Sequence, residues 1–198
     1  MNTPKQIQES TIELLNSYSS KFQYAVTFTF KSKAFIENKD FKKVEVDDIA
    51  SRMRKEFPQY KWGDEAEKIG HTAYLNDDVA NATMDYFYAR LTHRTWGKDA
   101  LRKSTRDYSK PLLITTAEGS ANRLVRTHRH GIIGNLPEHI KSIDQITLAW
   151  NDTDFGGRIV VKKIYDLDGW LEYITKEIHT GNDATLQVDR IKQPNTYR

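Results

Sequence analysis

Two histidines separated by a single residue, His128 and His130, stand within an aliphatic segment that runs to position 133. Side chains alternate along a β-strand, so both imidazoles would leave the same face of a strand and could chelate one divalent ion. Each neutral imidazole offers one nitrogen, and a neighbouring carboxylate would complete a three-ligand site with open positions for phosphate or water. The spacing therefore predicts a metal site on a strand.

The predicted third ligand is Glu118, ten residues before His128. In a hairpin, Glu118 faces His128 directly only if the turn is centred near Arg123. A turn centred on Ser120 and Ala121 would displace Glu118 by several residues, at about 3.3 Å per residue, and take it out of ligation range. The sequence leaves both turns open, and the alternative role for Glu118 is that of a solvated turn residue.

A tyrosine and a lysine, Tyr173 and Lys176, lie three residues apart in a segment with helical spacing. A phenol is a poor nucleophile near neutral pH because its hydroxyl has a pKa of about 10. A metal that polarises a phosphate, with a lysine that favours the phenolate, would supply the missing activation. Leu171 and Ile174 lie on another side of the same helix, which can therefore pack while presenting Tyr173 and Lys176. The alternative is an exposed helix face without a catalytic role.

Basic residues concentrate between positions 90 and 110, where seven lysines and arginines stand against two aspartates. Trp96 and Tyr108 lie inside this patch, and cations beside aromatic rings suit a phosphate backbone with stackable bases. A solvated helix face and loop would explain the same charges. The predicted DNA-binding residues are Arg102, Lys103 and Arg106 in the patch, and Arg123, Arg126 and Arg129 near the histidines, where salt bridges to acidic neighbours would explain the arginines equally well.

The elements that must position these residues alternate between helices and strands. We expect helices over 3–18, capped by Thr3 and Pro4, and from Asn76 or Asp77 to about Trp96. Further helices are expected from Pro137 toward Trp150 and over 169–178, the latter capped by Asp168. Strands are expected over 24–30, 111–117, 124–133 and 158–164. This order predicts an α+β fold with a largely antiparallel sheet.

The 198 residues, 38% of them hydrophobic and 11% aromatic, predict one domain with a substantial core. Residues 38–76, with a predicted helix over 46–57, are expected to be an insertion in that domain. The absence of cysteine excludes thiolate metal sites, so any metal must be held by histidines and carboxylates. No stretch approaches 18 apolar residues, so we expect a cytoplasmic protein without a membrane partner.

Three segments in order resemble the motifs of single-tyrosine HUH replication initiators, which circular single-stranded DNA viruses, rolling-circle plasmids and related phages encode. They are Val-Thr-Phe-Thr-Phe at 26–30, His128-Arg129-His130 with Glu118 upstream, and Tyr173-Ile174-Thr175-Lys176. The resemblance implies that Tyr173 attacks a DNA phosphate and becomes a 5′-phosphotyrosine, leaving a 3′-hydroxyl. It also implies that Glu118, His128 and His130 hold Mg²⁺ or Mn²⁺, and that Lys176 orients phosphate or metal.

The same resemblance implies an RRM-like or palm-like sheet of about five strands flanked by helices. It implies nicking and rejoining of single-stranded DNA at a hairpin-associated origin, which initiates rolling-circle replication with a host DNA polymerase. The helicase domain often fused to such initiators has no counterpart in these 198 residues. The alternatives are therefore a recruited host helicase or a nuclease fragment.

Two other functions remain open from the sequence. A single-tyrosine transposase or relaxase would share the histidine pair and the tyrosine chemistry but serve another purpose. A non-catalytic, RRM-like nucleic-acid-binding domain would stack bases on Phe28 and Phe30, keep its histidines structural, and need no metal.

Overall fold

The computed structural model describes residues 2–37, 55, 70–101, 110–118, 128–180, 186 and 190–193. Two compact units make up the chain: Met1–Ser32 with Leu75–Arg198, and Lys33–Tyr74. Within the described ranges, no helix is long and apolar enough to cross a membrane. The helix predicted over 46–57 lies outside those ranges, apart from Lys55, which is helical.

The described chain contains both helices and strands. In order they are α1 (Pro4–Asn16), β1 (Phe22–Phe30), β2 (Lys33–Glu37), β3 (Gly70–Tyr74), α2 (Asp77–Trp96), β4 (Leu112–Glu118), β5 (His128–Gly134), α3 (Ser142–Asn151), β6 (Gly156–Lys163), α4 (Leu167–Ile174) and α5 (Lys176–His179). Short 3₁₀ turns cover Ser19–Lys21 and Lys98–Leu101.

The larger unit is built on an antiparallel sheet with the strand order β4, β5, β1, β6. The predicted α+β class is therefore confirmed, with helices flanking the sheet in a manner compatible with a palm-like or RRM-like fold. The described residues supply four strands to this sheet rather than the expected five or so. Two isolated bridges, Thr116 to Leu186 and Leu113 to Lys192, lie along the outer edge of β4.

The smaller unit, Lys33–Tyr74, contains the antiparallel pair β2 and β3. Lys33 lies opposite Tyr74, and Glu37 lies opposite Gly70. The expected insertion at 38–76 thus overlaps this unit, whose strands begin before it at Lys33.

One face of the main sheet is covered by α2 and α3 through an aromatic cluster. The rings of Phe87 and Trp150 lie 5.0 and 4.9 Å from that of Phe28, centroid to centroid, and Phe30 lies 5.2 Å from Trp150. These tilted and edge-to-face contacts are the favoured arrangement of buried rings. Phe28 and Phe30 are thus core residues.

The opposite face, which carries His128 and His130 and is called the histidine face, packs against α1, α4 and α5. Apolar side chains of the sheet and of these helices form a buried cluster there. Burial of apolar surface contributes roughly 25 cal/mol per Å², so this cluster is the main attraction between the sheet and the helices. Its fully or nearly fully buried members are Leu15, Leu112, Ile114, Ile132, Leu171, Ile174 and Ile178.

The first two long helices begin where the sequence predicts. Thr3 caps α1 in a reciprocal capping box with Gln6, and Pro4 occupies the first turn. The side chain of Asn76 accepts a hydrogen bond from the Val79 N–H at 2.8 Å and so caps α2. Both caps satisfy amide groups that have no partner inside the helix.

Two other helix starts were predicted wrongly. The third helix begins at Ser142 and not at Pro137, because the intervening residues form a turn in which the Ser142 N–H bonds the carbonyl of Ile140. The cap of α4 is Asp166 rather than Asp168, and its carboxylate accepts from the Gly169 N–H at 3.0 Å. A Cβ at position 169 would clash with that carboxylate, so the glycine permits the cap.

Candidate active site

Strand register brings the predicted metal ligands together. Glu118 on β4 lies directly opposite His128 on β5, and Thr116 lies opposite His130. This register corresponds to a hairpin centred on Arg123, the first of the two turns that the sequence left open. Residues 119–127, including the turn itself, lie outside the described residues.

Glu118, His128 and His130 form a partly buried triad on the histidine face. Oε2 of Glu118 lies 3.0 Å from Nε2 of His128 and 2.5 Å from Nε2 of His130. One candidate ligand atom from each side chain falls within 4.8 Å of the other two. Two imidazoles and a carboxylate suit a divalent cation and leave coordination positions open for a substrate. The three residues therefore fit a metal site.

Charge around Glu118 keeps this carboxylate in its ligand form. Burial opposes its ionisation, but hydrogen bonds from Lys176 and His130 and the charges of both outweigh burial and lower the pKa of Glu118 to about 2. Glu118 is therefore ionised across the physiological range. Metal binding at the triad requires a deprotonated carboxylate of this kind.

His130 is the most buried member of the triad, with 6% of its side chain exposed. Burial lowers its pKa, and the opposing hydrogen bond and charge of Glu118 do not cancel this effect. Its Nδ1 lies 3.0 Å from Oγ1 of Thr27 on β1. A threonine hydroxyl can donate or accept, so Thr27 can accept from Nδ1–H in the tautomer that leaves Nε2 free to bind a metal.

Tyr173 and Lys176 lie against the triad. The hydroxyl of Tyr173 is 3.4 Å from Nε2 of His130, and its ring packs edge-on against the imidazole at 4.8 Å. Nζ of Lys176 lies 2.7 Å from Oε1 of Glu118 and 4.2 Å from the centroid of the Tyr173 ring. Both predicted catalytic residues and all three predicted ligands thus meet in one cluster.

The end of α4 explains how Tyr173 and Lys176 stay together. The helix predicted over 169–178 is interrupted at Thr175, whose buried hydroxyl donates to the carbonyl of Leu171 at 2.7 Å. That hydroxyl also accepts from the side-chain amide of Gln8 on α1 at 3.2 Å. The backbone break is therefore anchored on two sides, and Lys176 on the next turn reaches back over the Tyr173 ring.

Two members of the site were not among the predicted site residues. Besides Thr27, Trp170 stacks on Tyr173 with ring centroids 5.3 Å apart and an interplanar angle of 21°. Its indole N–H donates to the carbonyl of Gly131 at 3.2 Å, which fixes the ring over the sheet. The sequence contained a signal for each residue. Thr27 alternates with Phe28, which is buried on the other face of β1, and Trp170 lies three residues before Tyr173 and so on the same face of the helix.

Arg129 was grouped with the predicted DNA-binding residues, and its position separates it from the site. It lies between the two histidines in sequence, so its side chain leaves the other face of the sheet. There it is 8% exposed and donates from Nη2 to Oδ1 of Asn81 on α2 at 2.5 Å. Within the described residues its Nε has no hydrogen-bond partner. Burial of this guanidinium leaves it no surface to offer a DNA backbone.

The other predicted DNA-binding residues fall outside the part of the chain that the structure describes. They are Arg102, Lys103, Arg106, Arg123 and Arg126. Their part in DNA binding stays a prediction.

Comparisons with protein-family models, with curated proteins and with solved structures give no match to this chain. A carboxylate, two imidazoles, a phenol and an ammonium group converge on one face of the sheet.

Proposed function

We propose that this protein is a metal-dependent endonuclease that nicks and rejoins single-stranded DNA through a tyrosine linkage. The observation that carries the proposal is the position of the Tyr173 hydroxyl, 3.4 Å from Nε2 of a histidine that belongs to the candidate metal triad. A nucleophile beside a metal site, with a lysine at hand, is the arrangement that phosphoryl transfer to a phenol needs.

Tyr173 is suited to the role of nucleophile by its exposure and by its support. About 41% of the residue is exposed, so its hydroxyl can meet a substrate, while stacking on Trp170 limits the motion of the ring. In the proposed step the phenolic oxygen bonds to phosphorus as the bond from phosphorus to the 3′-oxygen breaks. The phenol proton passes to solvent, and the 3′-oxygen takes up a proton. The products are a 5′-phosphotyrosine and a 3′-hydroxyl.

Glu118, His128 and His130 would hold Mg²⁺ or Mn²⁺. A bound divalent ion supplies Lewis-acid polarisation of the scissile phosphate. Burial lowers the pKa of Lys176, but the hydrogen bonds and charges of Glu118 and Tyr173 outweigh burial and raise it, so Lys176 stays protonated beside Tyr173. The same ammonium group can neutralise charge that develops on the phosphate.

Rejoining follows from the same chemistry run backwards. The phosphodiester energy is kept in the tyrosine linkage, so a 3′-hydroxyl held at the site can attack phosphorus and restore the strand. An enzyme of this kind suits the initiation of rolling-circle replication at a hairpin-associated origin, with a host helicase and DNA polymerase. A transposase or relaxase would use the same five side chains, so the DNA sequence that is cut decides between these functions.

The non-catalytic alternative is disfavoured by burial. An RRM-like domain would present Phe28 and Phe30 to bases, but they are 0% and 2% exposed and lie under α2 and α3. Base stacking on these two rings would require the core to open.

A gel assay tests the proposed activity. The protein is incubated with Mn²⁺ and a labelled random single-stranded oligonucleotide pool, and the products are separated under denaturing conditions. We expect a covalent protein–DNA band that Tyr173→Phe and a chelator each abolish. Tyr86→Phe is the matched control, since Tyr86 is 49% exposed and lies on α2, away from the histidine face.

The expected control result is an undiminished band with Tyr86→Phe. Sequencing the DNA recovered from the band then reports the cut site, which separates a replication origin from a transposon end. DNA binding without any covalent band, across substrates and divalent metals, would overturn the proposal.

A further inference from the structure

A cavity of about 360 Å³ opens beside Tyr173 and is called the Tyr173 cavity. Strands β1 and β6 contribute Ala25 and Val160, and the loop that leads into α4 contributes Tyr165. Trp170 and Tyr173 of α4 complete the lining on the helix side. The volume lies within the range of about 300–1,000 Å³ that is usual for small-molecule sites.

Two lining residues also touch the metal triad. Thr27 lines the cavity and lies within hydrogen-bond distance of Nδ1 of His130, while the Tyr173 hydroxyl lies 3.4 Å from Nε2 of the same ring. The cavity and the triad therefore border the nucleophile together. A DNA strand whose phosphate reaches Tyr173 at the triad therefore lies beside this cavity.

The chemistry of the lining matches one unpaired nucleotide. Ala25, Val160 and Trp170 give apolar and aromatic surface for a base, and an indole is a strong stacking partner. Lys162 and Lys163 are exposed at the cavity and can neutralise a phosphate. The acidic lining residue Asp166 already accepts the capping hydrogen bond from Gly169.

Tyr165 is the most exposed aromatic residue of this surface, at 94%. Full exposure of a phenol ring has no packing benefit for the free protein, and a ring beside two lysines can stack on a base that enters. Its substitution also leaves the core intact, because the side chain has almost no buried surface. Tyr165 is therefore the best residue with which to test the cavity.

We propose that the Tyr173 cavity binds the base of the nucleotide adjacent to the phosphate that Tyr173 attacks. The base lies between Trp170 and Tyr165, and Lys162 and Lys163 contact the neighbouring backbone. This assignment rests on the proposed nicking function. It deepens that function by explaining a requirement for single-stranded substrate, since a base held in a duplex cannot enter the cavity.

The first test does not depend on nicking. Tyr173→Phe protein is irradiated with a random single-stranded 20-mer pool that contains 5-iodouracil, and crosslinked peptides are identified by mass spectrometry. We expect crosslinks at Tyr165 or Trp170. Crosslinks confined to other parts of the chain would overturn the assignment of the cavity.

The second test uses as substrate the oligonucleotide that the gel assay shows to be cut, and measures KM and kcat separately. Stacking on an aromatic residue contributes about 1–3 kcal/mol per base, so Tyr165→Ala should raise KM about 5- to 160-fold and leave kcat within about threefold. Lys162→Glu should also raise KM. Tyr86→Ala and Lys141→Glu are the matched controls, both exposed and outside the lining of the cavity.

An abasic substrate completes the test. Removing the base next to the cut phosphate should raise KM for the wild type, and should raise it by a smaller factor for Tyr165→Ala, because the contact between the base and Tyr165 is already lost in that variant. Additive effects, or an unchanged KM for Tyr165→Ala, would contradict the proposal.

These experiments separate the two proposals. Crosslinks at the cavity without any covalent adduct in wild-type protein would support the cavity and overturn the nicking function. A covalent adduct with an unaffected KM in Tyr165→Ala and Lys162→Glu would support nicking and overturn the cavity.

Discussion

Lys176 and Glu118 form an ion pair of 2.7 Å through Oε1, the carboxylate oxygen that does not face the histidines. The other oxygen, Oε2, faces both imidazoles. The two oxygens of one carboxylate thus have different partners: Oε2 faces the candidate metal position, and Oε1 contacts the lysine that covers the Tyr173 ring. In the proposed mechanism, this arrangement links metal binding to the charge beside Tyr173, the proposed nucleophile.

Replacing Lys176 by methionine should separate metal binding from catalysis. A cation near the metal position opposes binding of a second cation, so Lys176→Met should bind Mn²⁺ as tightly as the wild type or up to about tenfold more tightly. Loss of charge stabilisation at the phosphate should slow nicking about 100- to 1,000-fold. Isothermal titration calorimetry and single-turnover kinetics measure the two effects.

The matched control for this change is Lys192→Met. Lys192 forms an ion pair of 3.0 Å with Asp85, and its side chain has an exposure of 35%, close to the 39% of Lys176. Lys192→Met should leave both metal affinity and nicking unchanged. Weaker Mn²⁺ binding in Lys176→Met would contradict the position that we assign to this ammonium group.

Thr27→Val should weaken metal binding without removing a ligand. The valine cannot accept the proton of His130 Nδ1, so the tautomer with a free Nε2 loses its hydrogen-bond partner. Loss of such outer contacts commonly lowers metal affinity 10- to 100-fold. Calorimetric titration with Mn²⁺ measures the change, with Thr147→Val on the exposed side of α3 as the control. Equal affinity in Thr27→Val and wild type would show that Thr27 does not orient His130.

Gly131→Ala should destabilise the two strands that carry the triad. A Cβ at this position would clash with the carbonyl oxygen of Ile114 and lie 3.0 Å from the side chain of Thr115. Overpacking of this kind costs about 1–3 kcal/mol of unfolding free energy. Urea denaturation measures that free energy, and an unchanged midpoint for Gly131→Ala would contradict the close approach of β4 and β5.

Asp152 makes stability depend on pH through a contact between α2 and α3. Its Oδ2 lies 2.7 Å from Nη2 of Arg90 and 2.8 Å from Nη2 of Arg94. Partial burial opposes ionisation, but hydrogen bonds from Arg94 and Arg90 outweigh it and lower the pKa of Asp152 below its ordinary value of 3.8. A lowered folded-state pKa contributes stability that is complete above the unfolded-state pKa and is lost as pH falls through the folded-state value.

Asp152→Asn should therefore lower the unfolding free energy by about 1–2 kcal/mol at pH 7. The difference from wild type should shrink as pH falls below about 4, where the carboxylate of the unfolded chain takes up its proton, and should vanish once the folded carboxylate is protonated at lower pH. Chemical denaturation across pH 2.5–7 tests this, with exposed Asp154→Asn as the control. A difference that stays constant with pH would show that the ion pairs do not stabilise the fold.

Much of the fold was predictable because local signals and tertiary packing agree. Thr3 with Pro4, and Asn76, are strong caps, and the structure uses both. Alternating residues 24–30 form the central strand β1. The start of α3 was missed because Pro137 favours a first helical turn, while the chain forms an additional turn before Ser142. Asp166 and Asp168, two residues apart at the start of α4, made its cap ambiguous from sequence alone.

The site was predictable in its residue types and less so in its geometry. The spacing of His128 and His130 fixed their common face, but whether Glu118 reached them depended on a turn that sequence patterns did not decide. The alternation that puts both histidines on one face also places the side chain of Arg129 on the opposite, buried face, away from the histidines. Contacts across the sheet, such as that of Thr27, arise from a register that only the folded structure defines.

Identifying the residue that carries the covalently bound DNA is the most direct test of the proposed mechanism. The adduct formed with Mn²⁺ and the cleaved oligonucleotide is trimmed with nuclease and protease, and the modified peptide is sequenced by mass spectrometry. We expect a nucleotide attached through its 5′-phosphate to Tyr173, and at least about 1,000-fold slower cleavage in Tyr173→Phe. A nucleotide on another residue, or cleavage with full rate in Tyr173→Phe, would show that Tyr173 is not the nucleophile.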